Sequence, residues 1–232
     1  MKKFARMLNI FSVFALCLAS ATSYASIVIS GTRVIYPSDA KEVTVKLNNV
    51  GVSPVLIQSW IDTGDVEAKP DSIQVPFIIT PPMNRVDPAK GQTLRISSTA
   101  TSLPTDRESV FWLNVLEIPA KKQAKSSENL LQLAFRSRIK LFYRPTGLQG
   151  NANDAGNALT WQTVSGGVKA TNPTPYYVSL VTLSVNGKQV EGEMVAPKSS
   201  LTFKLPASSG SKISGEFVND YGAINKFENT IK

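Results

Sequence analysis

The 232-residue sequence contains no histidine and only one cysteine, Cys17. Without histidine, the chain cannot form a Ser-His-Asp or Cys-His nucleophilic site, and it cannot bind zinc through imidazole. A single cysteine excludes an intrachain disulfide and argues against a structural zinc site. Asp and Glu remain available, but their spacing shows no calcium-loop pattern. The composition therefore excludes histidine-dependent nucleophilic catalysis and argues against a zinc site, whereas carboxylate chemistry stays open.

Long apolar runs are also absent. The one candidate, Leu8 to Leu18, is shorter than the roughly 20 residues that a membrane-spanning helix needs. Basic residues precede it, and Ser23-Tyr24-Ala25 resembles a small-residue cleavage site, so residues 1–25 are predicted to be a secretory signal peptide. The alternative, an uncleaved anchor, fits the short apolar run less well. The predicted mature chain, 26–232, is exported and contains no thiol, since Cys17 lies in the signal.

The charge balance is mildly basic. The chain has 25 Lys and Arg against 17 Asp and Glu, and the mature part retains 22 against 17. This excess permits an anionic partner. It does not indicate nucleic acid, because no basic run is long enough.

The pattern of apolar residues predicts an all-β protein. Short β-branched runs such as Ile27 to Ile35, and alternating runs such as Val43 to Leu47, are separated by turn residues at the spacing of β-sandwiches. Residues from about 145 to 158 are small, polar and rich in Gly and Asn, which is typical of a linker. We therefore predict two all-β sandwich domains, at residues 26–144 and 145–232.

The longest predicted strand runs from Leu130 to Arg144. Its odd positions are mostly apolar, and its even positions are mostly basic. Spacing alone favours a core strand with a solvated cationic face, since Lys and Arg on an edge also block unwanted strand pairing. The alternative is an edge strand offered to a partner, with Leu131, Leu133 and Phe135 as anchors. Lys140 then lies on the face opposite these anchors, unless twist or a bulge changes the alternation.

Six segments of the mature chain stand out when they are taken together. They are Thr32-Arg-Val-Ile-Tyr36, Thr80-Pro-Pro-Met-Asn-Arg85, Leu103 to Ala120 (LPTDRESVFWLNVLEIPA), Ile139-Lys-Leu-Phe-Tyr-Arg-Pro145, Asn172-Pro-Thr-Pro-Tyr-Tyr177 and Asn219-Asp-Tyr-Gly222. In this order, over nearly the whole mature chain, they resemble the periplasmic pilus and fimbrial assembly chaperones, the PapD-like family. Their combination is more specific than any one of them.

The resemblance implies two immunoglobulin-like β-sandwich domains with a cleft between them. It also implies a periplasmic chaperone that is not an enzyme and needs no cofactor. Its partners would be newly exported pilus or fimbrial subunits, which lack their last strand, and the outer-membrane usher that receives them. Nucleic acid and small-molecule substrates are not expected. The long strand would fill the subunit's open groove, and self-association through that exposed strand is a further expectation.

The resemblance also implies roles for individual residues. Arg33 and Lys140 would bind the C-terminal carboxylate of the subunit. Leu131, Leu133 and Phe135 would fill the subunit's groove. A structural ion network between the domains would consist of Glu108, Arg144 and Asp220.

The sequence leaves two other functions as alternatives. An exported glycan-binding or adhesin module would also be all-β, but pilus subunits are usually single domains with a disulfide, and no cluster of exposed aromatic residues stands out. A carboxylate-dependent hydrolase needs a facing acid pair. Glu108 and Glu117 are separated by an odd number of residues, so they would point to opposite faces of a strand. A glycan screen tests the first function, and a hydrolase panel tests the second.

Overall fold

The computed structural model describes residues 26–99, 102–120 and 132–232. The predicted signal peptide and Leu131 lie outside the described residues. In the described part of the chain, no helix is long and apolar enough to cross a bilayer. Regular structure is almost entirely β, as predicted, with two short 3-10 helices at Pro70–Ser72 and Ala152–Asp154.

Among the described residues of the first half of the chain, nine strands form two sheets. The strands are β1 (Ile27–Ile29), β2 (Arg33–Pro37), β3 (Val43–Asn49), β4 (Val55–Asp62), β5 (Phe77–Thr80), β6 (Met83–Val86), β7 (Gly91–Ser98), β8 (Ser109–Pro119) and β9 (Phe135–Arg144). One sheet has the order β1-β3-β7-β5 and the other has the order β2-β9-β8-β4-β6. Alternate residues such as Val45, Leu94 and Leu113 are buried between the two sheets, which gives the expected sandwich.

Eight strands build the second half in the same way. They are β10 (Thr160–Val164), β11 (Gly167–Asn172), β12 (Val178–Val185), β13 (Lys188–Glu191), β14 (Met194–Val195), β15 (Ser199–Phe203), β16 (Lys212–Val218) and β17 (Ile224–Thr230). The sheets have the orders β10-β11-β15 and β13-β12-β16-β17, and β14 pairs with β12. Their core contains Trp161 stacked on Phe227, with ring centroids 5.8 Å apart. Part of the predicted linker packs on this core, because Ala155 is buried there.

The run from Ile27 to Ile35 is not one strand. It breaks at Gly31, whose φ of +109° suits glycine and few other residues. Before the break, β1 pairs with β3 in one sheet; after it, β2 runs parallel to β9 in the other sheet. This change of sheet places Arg33 beside Lys140.

The long strand starts five residues later than predicted, at Phe135. Its partner explains the start. The β8–β9 ladder begins where Glu117 pairs with Phe135, and β8 ends two residues further on at Pro119, which has no N–H for a ladder bond. Leu133 is described, but it precedes the strand.

Candidate functional site

Arg33 and Lys140 are direct neighbours on β2 and β9. Adjacent strands lie about 4.8 Å apart, so the register brings the two side chains together. Both reach across to the second half of the molecule. The guanidinium of Arg33 donates to the carbonyl oxygen of Val218 on β16 at 2.9 Å, and Nζ of Lys140 donates to Oγ of Ser179 on β12 at 3.3 Å. The two cations therefore lie in a cleft between the two sandwiches.

The two cations in the cleft lack a carboxylate partner among the described residues. Neither Arg33 nor Lys140 forms an ion pair with any described carboxylate. The Nε of Arg33 is buried and has no hydrogen-bond partner among the described residues. Burial lowers the pKa of Lys140, and the charge of Arg33 lowers it further. Burial also lowers the pKa of Arg33, although the charges of Asp220 and Glu108 partly offset that effect. An anion bound between the two side chains would offset the cost of burying the two charges and weaken their mutual repulsion.

Next to this pair, Arg144 connects the two halves of the chain. Its guanidinium donates to Glu108 at 2.6 Å and to both oxygens of Asp220 at 2.7 and 2.8 Å. The other oxygen of Glu108 accepts the backbone N–H of Tyr177 at 2.8 Å. Arg144 also lies over the ring of Tyr176, 5.3 Å from the centroid. The predicted network residues are thus in direct contact.

The network is largely removed from water, since Glu108 is 3% exposed. Burial raises the pKa of Glu108 against the opposing influence of Arg144 and of the Tyr177 N–H. For Arg144, burial works in the opposite direction, but the hydrogen bond to Asp220 and the charge of Glu108 outweigh it and raise its pKa. Arg144 is therefore held as a cation whose removal would leave two carboxylates without their partner.

Close packing supplements the ion network at the domain contact. Gly222, in the turn between β16 and β17, approaches Thr32 so closely that a Cβ there would lie 2.5 Å from the threonine Oγ1. Its φ of +82° also suits glycine. This contact sits one residue before Arg33, so it positions the cleft as well as the turn.

The first part of β9 has a free side. Residues 135–139 pair with β8, whereas β2 begins to pair on the other side only at Lys140. Leu133 and Phe135 are 55% and 51% exposed. Within the described residues, this stretch is an edge with apolar side chains at its start, and a partner strand can pair with it.

The register of β9 decides the face of each side chain. Pairing with β8 is continuous from Phe135 to Tyr143, so there is no bulge in this segment. Phe135 and Lys140 therefore point to opposite faces, and only strand twist can bring their binding partners together.

Sequence reasoning missed an ion pair that supports this edge. Arg138 on β9 bonds Asp62 at 2.5 Å, lies 4.8 Å from the ring centroid of Trp112, and shares the carboxylate with the amide of Asn114. Asp62 is only 2% exposed and also accepts the N–H of Gly64. The alternation marked Arg138 as a basic residue, but nothing in the pattern paired it with a carboxylate 76 positions away.

Other contacts of the cleft also carried no sequence signal. Ser179 and the carbonyl of Val218 look like ordinary strand positions until the two halves come together. In the described part of the chain, no three His, Cys, Asp or Glu side chains lie close enough to hold a metal ion.

Family models match both halves of the chain. Residues 26–149 match the pili and flagellar-assembly chaperone PapD N-terminal domain, and residues 154–229 match the pili assembly chaperone PapD C-terminal domain. The chain belongs to the PapD-like family of pilus assembly chaperones. The resemblance carried by the sequence segments is thereby confirmed, and the family role is that of a chaperone rather than an enzyme.

Individual relatives agree over nearly the full length of this chaperone. It is 50% identical over 225 residues to the probable fimbrial chaperone YadV of Escherichia coli K12, covering 90% of this chain and 92% of that protein. It is 46% identical over 242 residues to the chaperone protein FimB/FhaD of Bordetella pertussis, covering 100% and 99%.

Solved structures show the same two-sandwich architecture. The Pseudomonas aeruginosa CupB2 chaperone superposes with a TM-score of 0.77 at 40% identity, covering 88% of this chain and all of that one. A Salmonella enterica structure of the SafA pilin in complex with the SafB chaperone matches with a TM-score of 0.79 at 30% identity, covering 90% and 98%.

Proposed function

We propose that this chaperone binds newly exported pilus or fimbrial subunits in the periplasm and delivers them to an outer-membrane usher. The observation that carries the proposal is the pair formed by Arg33 and Lys140, two partly buried cations without a carboxylate partner among the described residues. Such a pair is costly unless an anion completes it. Membership of a chaperone family, and a structural relative solved with a pilin, make the carboxylate at the end of a subunit the best candidate.

The anchored carboxylate would fix the register of the complex. Charge-assisted hydrogen bonds from the two cations hold the subunit's last residue at one point of β9. The chain before it can then pair with the free side of residues 135–139. Because a slip of one residue reverses every side chain, the anchor decides which subunit residues face the groove.

The apolar residues at the start of the β9 edge would take the place of the subunit's missing strand. We propose that Phe135 and Leu133, with Leu131 before them, fill the groove left by the subunit's missing strand. Covering that groove suppresses aggregation, since open apolar surface and free strand edges promote it. The same exposed strand would support self-association of the free chaperone.

The ion network between the domains would be structural, and the N-terminal segment would serve export. The network of Glu108, Arg144 and Asp220 would hold the angle between the domains, which we place at residues 26–144 and 145–232. Residues 1–25 would direct export and be removed. We assign no catalytic residue, cofactor, nucleic acid or small-molecule substrate to this chain.

Co-purification tests the function directly. The tagged chaperone is expressed in its native host under conditions in which pili are made, purified from the periplasm, and its partners are identified by mass spectrometry. Small β-rich subunits are the expected partners. If none appears, the chaperone assignment fails for this chain, and a glycan-binding screen tests the adhesin alternative.

Binding should depend on pH through Lys140. Only the protonated amine holds a carboxylate, and its pKa is lowered in the free protein. The affinity for a subunit should therefore be constant at neutral pH and fall as the pH rises through the lowered lysine pKa. Tyr177 does not mimic this effect, because burial raises its pKa. Calorimetric titration over the alkaline range measures the profile.

Lys140→Arg is the matched variant, since arginine remains charged over that range. Its profile should be flat where that of the wild type falls. If the affinities of the two proteins depend on pH in the same way, Lys140 does not bind the subunit carboxylate.

Phe135 should matter for binding and little for folding. Its side chain is half exposed, so Phe135→Ser should change the free energy of unfolding by less than about 0.5 kcal/mol. In the complex the ring would be buried, and its loss should weaken subunit binding by about 1–2 kcal/mol. The control is Ile78→Ser on β5 of the other sheet, since Ile78 is equally exposed at 56%. Equal binding losses for the two variants would argue against a groove-filling role.

A further inference from the structure

The carboxylate of Glu117 is buried at the end of the first sandwich that lies far from the cleft. Glu117 is 9% exposed and points inward with Leu113 and Val115, its neighbours at alternate positions of β8. One carboxylate oxygen accepts the hydroxyl of Ser26, and the other accepts the N–H of Ile27 at 3.0 Å. No described Lys or Arg forms an ion pair with it. A buried carboxylate normally has a cationic partner, because an unpaired buried charge is costly. The cationic partner of Glu117 must therefore be a group other than a described Lys or Arg side chain.

The first mature residue can supply that cation. Ser26 directly follows the predicted cleavage site, and hydrolysis of the Ala25–Ser26 peptide bond would convert the serine amide nitrogen into an α-ammonium group. Standard bond lengths place that nitrogen within about 4 Å of the serine's own Oγ, which already touches the carboxylate. The N–H of the next residue occupies the other oxygen, so both sides of the carboxylate face the start of the mature chain.

Ser26, the predicted first residue of the mature chain, is also held in place from its other side. The carbonyl of Ser26 accepts the N–H of Val50 at 2.8 Å, and Gly51 approaches so closely that a Cβ there would lie 2.6 Å from the Cβ of Ser26. Chain ends usually fray unless specific contacts hold them. Here the turn after β3 and the carboxylate of β8 enclose the same residue.

We propose that Glu117 is the receptor for the new α-ammonium group of Ser26, so that this buried ion pair forms only after the signal peptide has been removed. The inference rests on the proposed cleavage after Ala25. In the precursor, the same nitrogen is a neutral amide and the carboxylate lacks a cation. Full stability of the first sandwich thus follows processing, which occurs after the chain has crossed the membrane.

The position of Glu117 connects this ion pair with the binding edge. Glu117 pairs with Phe135, the first residue of β9, in the β8–β9 ladder. The ion pair therefore ties together β1, β8 and the start of the proposed groove-filling strand. An unprocessed chain would lack that tie at the point where the strand emerges.

A two-by-two comparison tests the proposal. Exported wild type beginning at Ser26 is compared with protein carrying one extra glycine before Ser26, each with Glu117 and with the Glu117→Gln substitution; mass spectrometry verifies every N-terminus. The extra glycine displaces the ammonium by a residue. It should lower the thermal unfolding midpoint by on the order of 5 °C when Glu117 is present, and by less than about 1 °C in the glutamine variant.

Two further results decide between charge and steric fit. Equal losses in both backgrounds would mean that the glycine only crowds the site, and the ion pair would be refuted. Ser26→Ala keeps the ammonium and removes the hydroxyl, so the glycine should still cost as much in that variant; if the cost disappears, the hydroxyl is the essential group and the proposal fails. A mature chain that begins at another residue would also refute it, while leaving subunit binding in the cleft untouched.

Discussion

Replacing Arg33 and Lys140 together by alanine is expected to abolish subunit capture while leaving the free chaperone folded. Each charge-assisted hydrogen bond to the subunit carboxylate contributes about 1.5–3 kcal/mol, so losing both should weaken binding by about 3–6 kcal/mol, roughly 10²- to 10⁴-fold. The free protein should not lose stability to the same extent, because both cations are desolvated by burial and Lys140 is repelled by the charge of Arg33. Titration of the folded chaperone with a subunit measures the loss of binding. Circular dichroism and denaturant unfolding of the free chaperone measure any loss of stability.

A second double variant controls for the loss of two positive charges. Lys46→Ala with Lys90→Ala removes two exposed cations outside the cleft, one on β3 and the other in the turn before β7. This variant should bind subunits as the wild type does. If it loses as much affinity as the cleft variant, general electrostatic attraction explains binding, and the assigned carboxylate anchor is wrong. If the cleft variant still binds fully, the carboxylate is held elsewhere.

Removing Arg144 should have the largest effect on stability. Arg144→Ala leaves Glu108 and Asp220 without their cation, and breaking a buried network in this way costs about 3–5 kcal/mol. Burial already raises the pKa of Glu108, so proton uptake by that carboxyl group limits the loss. Denaturant unfolding of the wild type and the variant at neutral pH gives the difference directly.

The chain offers a matched control for this prediction. Lys198 and Asp106 also form an ion pair between the two halves, at 2.7 Å, but both side chains are nearly half exposed. Lys198→Ala should therefore leave the unfolding midpoint almost unchanged. Similar losses for Lys198→Ala and Arg144→Ala would show that any bridge between the halves matters, whether or not it is buried.

The sequence pattern predicted much of the fold because period-two alternation reports burial directly. Runs such as Val43 to Leu47 identified strands, and the turn residues between runs indicated sandwiches. Patterns could not place breaks that depend on sheet pairing. The run from Ile27 to Ile35 looks continuous, yet Gly31 lets the chain change sheets, and β9 begins at Phe135 because its partner strand ends.

The spacing of residues along the sequence could not predict the candidate site. Alternation favoured a solvated cationic face for β9, and only the family resemblance selected Arg33 and Lys140. Their proximity depends on parallel pairing between strands more than 100 positions apart, and their partners Ser179 and Val218 belong to the other half. The contacts of Asp62 with Arg138 and of Glu117 with Ser26 are equally long-range, so no local signal indicates them.

The two cleft cations differ in what they require from the second half of the molecule. Lys140 depends on a hydroxyl group, which Ser179 supplies and most other residues would not. Arg33 depends on a backbone carbonyl, which any residue at position 218 would supply as long as β16 keeps its path. Substitution of residue 218 should therefore preserve the hydrogen bond that Arg33 donates to this carbonyl. The identity of residue 179 should be under much tighter selection.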